Sequence, residues 1–102
     1  MSEPVKLMMT WDIKSGREKI YFAFITQEFP STLQRNGLQL TDAWYTMYGP
    51  WPQVRMGFVS EDLQTLEDFL VSERWLEIKH RLLSFIQGYH QKVVPARGWF
   101  QI

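Results

Sequence analysis

The residues of this chain that could do chemistry are two histidines, a few arginines and a dense set of aromatic side chains: five Trp, four Tyr and seven Phe. His90 stands where the pattern places the junction of the last helix and the last strand, with Tyr89 beside it and Arg97 a short way on. An imidazole there could carry a proton to or from a bound phenol or enol. A surface or helix-capping histidine would fit the same position. His80 projects away from the apolar stripe of Trp75, Ile78 and Leu82, so solvation is its expected state. The two histidines lack metal-ligand spacing and a third ligand near them in sequence, so no metal site is expected. With no Cys at all, a thiolate site, a disulfide framework and a cysteine nucleophile are excluded.

Arg55, Arg97 and Asp12 fall on alternating positions that could share one sheet face. There an Arg could grip a carboxylate or steady an enolate through its two-pronged guanidinium. An ion-pair network across a protein interface would use the same residues. Tyr45, Tyr48, Trp44 and Trp51 cluster around a Pro-rich turn and could offer ring faces and hydroxyl handles to an aromatic ligand, or could simply be core. The candidate catalytic pair is thus His90 and Arg55. The candidate substrate-binding residues are Tyr45, Tyr48, Met8, Thr10, Trp75 and Arg97.

These residues need a scaffold, and the hydrophobic pattern supplies one. From Val5 to Ile13 apolar and other residues alternate as in a half-buried strand. A helix follows from near Arg17 with Phe22, Ile25 and Phe29 as its stripe. Pro30 should kink or break it, and a short continuation should end at Asn36-Gly37. Leu38 to Tyr48 and Gln53 to Val59 read as a hairpin about the stiff Gly49-Pro50-Trp51-Pro52 turn. Ser60 can cap a helix carrying Leu63, Leu66 and Leu70. Ser72 can cap a longer piece whose stripe, Trp75, Ile78, Leu82, Phe85 and Tyr89, runs to Gly88. Val93 to Ile102 is the last strand.

The order strand, helix, strand, strand, helix, strand, with right-handed crossovers, is the ferredoxin-like βαββαβ arrangement. This is an α+β fold whose four-stranded antiparallel sheet carries helices on one face only. The whole of residues 1–102 is expected to form one such domain. The open face should present Met8, Thr10 and Asp12, then Arg55 and Gly57, then Arg97, Trp99 and Gln101. On the second strand Tyr45 and Met47 are preferred over Trp44, although a bulge would swap them.

At 45% hydrophobic and 16% aromatic residues, so small a chain cannot easily hide all its rings, and a homodimer joined through the open face is expected. The formal net charge of zero gives no reason to expect nucleic acid or an anionic membrane as partner. No apolar run approaches the roughly 18 residues of a membrane span, and the start carries no secretory pattern, so a cytoplasmic location is expected.

The strand order together with Tyr89-His90-Gln91-Lys92-Val93-Val94-Pro95 leading to Trp99-Phe100-Gln101 resembles the dimeric α+β barrel superfamily. That group includes antibiotic-biosynthesis monooxygenase-like, stress-responsive barrel and NIPSNAP-like domains. The resemblance implies two open sheet faces packed into one barrel, and small apolar or aromatic ligands bound between sheet and helices. Its haem-degrading branch would require an Asn, Trp and His set. Here the only Asn is Asn36, at an expected helix end, while Trp75 and His80 lie on the second helical region. Haem chemistry is disfavoured and no cofactor is expected. An RNA-recognition reading of Gly57-Phe58-Val59 fails because Met56 and Glu61 stand where that signature wants aromatics. An acylphosphatase loop would need more glycine than Asp12-Ile13-Lys14-Ser15-Gly16 offers, and a metal chaperone would need a Cys pair. The expected function is small-molecule binding, or cofactor-independent oxygenase or isomerase chemistry on an aromatic or polyketide-like compound. The alternative is a non-catalytic structural or protein-interaction module using the aromatic face.

Overall fold

The structure, a computed structural model, describes residues 3–47, 49 and 52–96. β1 (Val5–Ile13) alternates as its sequence does, and Leu7, Met9 and Trp11 are fully buried on one side. α1 (Glu18–Gln27) and α2 (Phe29–Arg35) meet at Glu28, where Pro30 takes the first turn of α2 and needs no N–H partner. β2 (Leu38–Tyr45) and β3 (Val54–Ser60) form the hairpin. α3 (Leu63–Leu70) is capped by Asp62, whose side chain accepts the Thr65 N–H, not by Ser60, which is buried in β3. That backbone hydrogen bond holds the Asp62 carboxyl below the usual carboxylate range. α4 (Glu73–Leu83) is capped by Ser72 as the sequence indicates, and β4 (Ile86–Pro95) follows. The sheet is antiparallel throughout in the order β2-β3-β1-β4, with β1 and β3 central. This is the ferredoxin-like order, and all the helices feed the core on one sheet face.

Two bulges decide which side chains reach the other face. The register of β4 against β1 shifts between Thr10 and Asp12, where Gly88 has φ +66° and supplies the extra residue. Gly88 is therefore a bulge inside a strand and not the end of a helix. The spacing of Phe85 and Tyr89 continues the α4 stripe by coincidence, but the helix stops at Leu83 and the strand begins at Ile86. The second shift lies between Leu40 and Asp42 in β2, and the Thr41 hydroxyl holds it by bonding Asp42 Oδ1 at 2.9 Å and the Gly57 carbonyl at 3.3 Å. Trp44, opposite Arg55, consequently faces the open side, and Tyr45, opposite Val54, faces the helices against Phe22. This reverses the preference drawn from simple alternation.

On α1 the buried residues are Tyr21, Phe24 and Ile25, while Phe22 is 44% exposed, one step round from the expected stripe. The rotation lets the Tyr21 hydroxyl accept the indole N–H of Trp11 at 3.0 Å. Trp11 meets Tyr21 and Phe29 edge-on and stacks on Tyr89, so one indole joins β1, α1, α2 and β4. An exposed guanidinium of Arg81 grips Glu28 through two bonds of 2.6 and 2.8 Å, tying α4 to the α1–α2 corner and lowering the Glu28 carboxyl pKa.

Burial pushes the Tyr21 hydroxyl up to about 12, against the opposing pull of the Trp11 hydrogen bond. Its ionisation is thus harder in the folded chain than in the unfolded one. The stabilising effect is complete below pH ~10, where both forms are protonated, and is lost as pH rises towards ~12. Tyr21→Phe should cost about 1–3 kcal/mol at pH 7, because Trp11 loses a buried acceptor. The wild type's advantage should then fall by about 2–3 kcal/mol towards pH 12, enough to close or reverse the gap. Urea titrations at a series of pH values measure it; a gap that stays constant above pH 10 would show that Tyr21 does not titrate with folding.

Candidate functional site

β1 is paired on both sides, and its open-face residues therefore have a neighbour in each direction. Thr10 lies opposite Arg55 of β3 and opposite His90 of β4, making one row across three strands. Met8, one pleat along, lies between Gly57 and Lys92. Over this row opens a cleft of about 590 Å³. Met8 and Thr10 form its floor, Trp44 and Arg55 one wall, His90 and Lys92 the other, and Thr46 and Pro52 close the hairpin end. Trp44 is 66% exposed, an apolar ring offered to whatever enters.

The hairpin end is held in place from β1. Gln53 donates its N–H to Asp12 Oδ1 at 2.9 Å, while its side-chain oxygen accepts the Ile13 N–H at 2.7 Å. Thr46 N–H donates to the Gln53 carbonyl, so both strands of the hairpin share the anchor. The other acid on this face, Asp42, pairs with Lys6 at 2.7 Å. That ion pair bridges β1 and β2 across β3, directly over Gly57. A Cβ at Gly57 would stand 2.5 Å from Lys6 Cε and 2.6 Å from Asp42 Oδ1. Lys6 is only 5% exposed although it lies on the open face, because its stem runs flat across that gap. Both acids are thus committed away from the cleft. Among the described residues, the side chains lining the cleft include Arg55, Lys92 and His90 but no carboxylate, and Arg55 and Lys92 have no ion-pair partner.

No protein-family model and no curated protein matches the chain. Solved structures do. A NIPSNAP family protein from Agrobacterium tumefaciens superposes with a TM-score of 0.69 at 16% identity, covering 93% of this chain and 87% of that one. An uncharacterised NIPSNAP domain protein from Burkholderia xenovorans gives 0.66 at 16% identity, over 92% and 96%. A candidate antibiotic biosynthesis monooxygenase from Nitrosomonas europaea gives 0.69 at 5% identity, over 94% and 92%. The chain shares their fold. The resemblance drawn from the sequence to monooxygenase-like and NIPSNAP-like domains therefore holds at the level of architecture, over nearly the whole chain.

Within this fold the residues singled out from the sequence divide into three groups. His90, Arg55, Met8 and Thr10 come together in the cleft. Tyr45 turns to the helical side, and Trp75 is 2% exposed in the core against Phe29 and Phe69, so neither lines it. Trp75 is buried because it begins the apolar stripe of α4, the face that packs on the sheet. Tyr48 and Arg97, with Trp51 and Trp99, lie outside the described residues. The space between sheet and helices, where the resemblance implies a ligand, is occupied by Trp11, Phe29, Phe58 and Leu66 at full burial. Trp44, named among the hairpin aromatics but placed on the wrong face by simple alternation, lines the cleft, and Lys92, Thr46 and Pro52 are cleft residues that sequence reasoning did not select. The signal for Trp44 was Asp42, a residue of low strand preference inside a strand; for Lys92 it was Gly88. No helix among the described residues is long and apolar enough to cross a membrane. None of their His, Asp and Glu side chains group in threes as for a metal ion.

Gly57→Ala should push Lys6 and Asp42 apart and weaken their nearly buried ion pair, at a cost of about 1–3 kcal/mol. Denaturation midpoints of Gly57→Ala, Asp42→Ala and the double variant decide the point. Additive losses would mean that the glycine is not there for the ion pair.

Proposed function

We propose that the open-face cleft is a small-molecule site, and that the chain binds, or acts without a cofactor upon, an aromatic or polyketide-like compound. The observation that supports this reading is the row Arg55, Thr10, His90 beneath an exposed Trp44. A planar phenol or enol resting on Trp44 and Met8 would lie above the row. The His90 imidazole would take its proton, the Arg55 guanidinium would steady the resulting oxyanion, and the Thr10 hydroxyl would hold the oxygen in register. Placing that proton on a ring or chain carbon instead of back on the oxygen is an isomerisation, and reaction of the electron-rich anion with dioxygen, which takes its electrons, is the oxygenase outcome. A second copy of the chain closing over the open face would exclude water from the cleft and cover Trp44.

A second reading, a non-catalytic interaction module, draws support from the filled space between sheet and helices, which leaves the open face as the chief place for contact. The two readings part on one experiment. Deuterium exchange at the acidic carbon of a β-diketone such as benzoylacetone, followed by NMR, should be accelerated by the wild-type chain. His90→Ala should lose about 10²-fold or more of that acceleration. No acceleration by the wild type, or an equal one by the variant, would remove the proton role and favour the interaction module. Sedimentation across a dilution series, with a mass of two chains expected, tests the closing copy.

A further inference from the structure

We infer that the ligand of this cleft is an organic anion, a planar aromatic carboxylate or a group of like charge and shape, with its acid group between Arg55 and Lys92 and its ring against Trp44. The inference rests on the small-molecule reading and names the class of molecule that the site selects. The chain as a whole is balanced, with 11 basic and 11 acidic residues, so a cleft whose described lining holds cations and no acid is a local segregation of charge and not a reflection of composition. The segregation has a visible cause. The two aspartates that the sheet places on this face are each drawn aside, Asp42 by Lys6 and the Thr41 hydroxyl, Asp12 by the Gln53 N–H. Each would otherwise be free to swing towards Arg55 or Lys92. What remains is cationic.

Geometry sets the size of the anion. Arg55 and Lys92 flank β1 on opposite sides, one pleat apart, because Thr10 pairs with Arg55 and Met8 with Lys92. Two strand spacings and two residues of rise place their Cα atoms roughly 12 Å apart, a gap that a guanidinium and an ammonium can close around one carboxylate. His90, on the row of Thr10, completes the basic arc. A small inorganic anion would use the charges and leave Trp44 idle. The indole lies on β2 directly opposite Arg55, so a ring fused to the acid would stack on it while the acid meets the guanidinium. Neutral aromatics would gain the stacking and leave the cations unanswered.

Calorimetric titration of the full chain with 2-naphthoate and with its neutral isostere 2-naphthamide, at low and at physiological salt, separates the possibilities. Naphthoate should bind at least tenfold more tightly than the amide, and added salt should shrink the difference. Arg55→Gln combined with Lys92→Gln should abolish the preference by weakening naphthoate far more than the amide, and Trp44→Ala should weaken both ligands. All three are exposed positions, and circular dichroism checks that the variants fold. Equal affinity for acid and amide in the wild type would overturn the inference and leave the small-molecule reading standing. Naphthoate binding that survives loss of both cations, or of Trp44, would place the anion elsewhere and overturn it also. Failure of both ligands to bind at millimolar concentration would count against the inference and the cleft together.

Discussion

β1 is hydrogen-bonded along both edges, and every other part of the molecule is positioned by its two-residue alternation. One set of its side chains, Leu7, Met9, Trp11 and Ile13, gathers the helices. The other, Lys6, Met8, Thr10 and Asp12, makes the centre of the opposite face. Because both neighbours are locked to it in fixed register, a residue on β3 or β4 inherits its face from the β1 residue it meets. Trp11 is where this ordering becomes a folded core. Its ring contacts elements from both halves of the chain, and its N–H, which would be costly to bury alone, ends on the Tyr21 hydroxyl.

The same dependence explains which parts of the structure could be read from the sequence. β1, the hairpin strands, the two-piece first helical region and the Ser72 cap follow from local signals that no tertiary contact overrides: strict alternation, Pro30, Gly37 and a capping serine. The last strand does not. Phe85, Ile86 and Tyr89 satisfy a helical spacing and a strand preference equally, and the choice between them comes from a partner strand some eighty residues away in sequence. Sheet topology was therefore legible while the start of β4 was not. The site was half legible for a related reason. Met8, Thr10 and Arg55 sit on strands or strand segments without interruption, whereas Trp44 and Lys92 lie beyond bulges, where counting by twos fails. His90 was selected for its chemistry, and the strand around it differs from the helix end expected there.

Charge in this molecule is arranged by the backbone more than by pairwise attraction. Gly57 has no side chain, and that absence opens the lane in which Lys6 lies down to meet Asp42. Gln53 presents a backbone N–H, and Asp12 turns to it. The two carboxylates of the open face are thus taken out of play by a missing side chain and by a turn amide. The basic residues of the cleft are left exposed as a result, and Thr46 and Pro52, at the hairpin end that Gln53 ties back to β1, stand at the rim beside them.

The bulge at Thr41 has a consequence for how this surface can change over generations. In an uninterrupted strand, altering what faces a ligand takes a substitution at each position. Here the outer part of β2 owes its orientation to one inserted residue, held by a single hydroxyl. Removing that residue would turn the segment beyond it inside out, offering Tyr45 in place of Trp44 and a phenol in place of an indole. The strand carries two alternative linings in one stretch of sequence, and the reading frame of its pleat, not the identity of its side chains, selects between them.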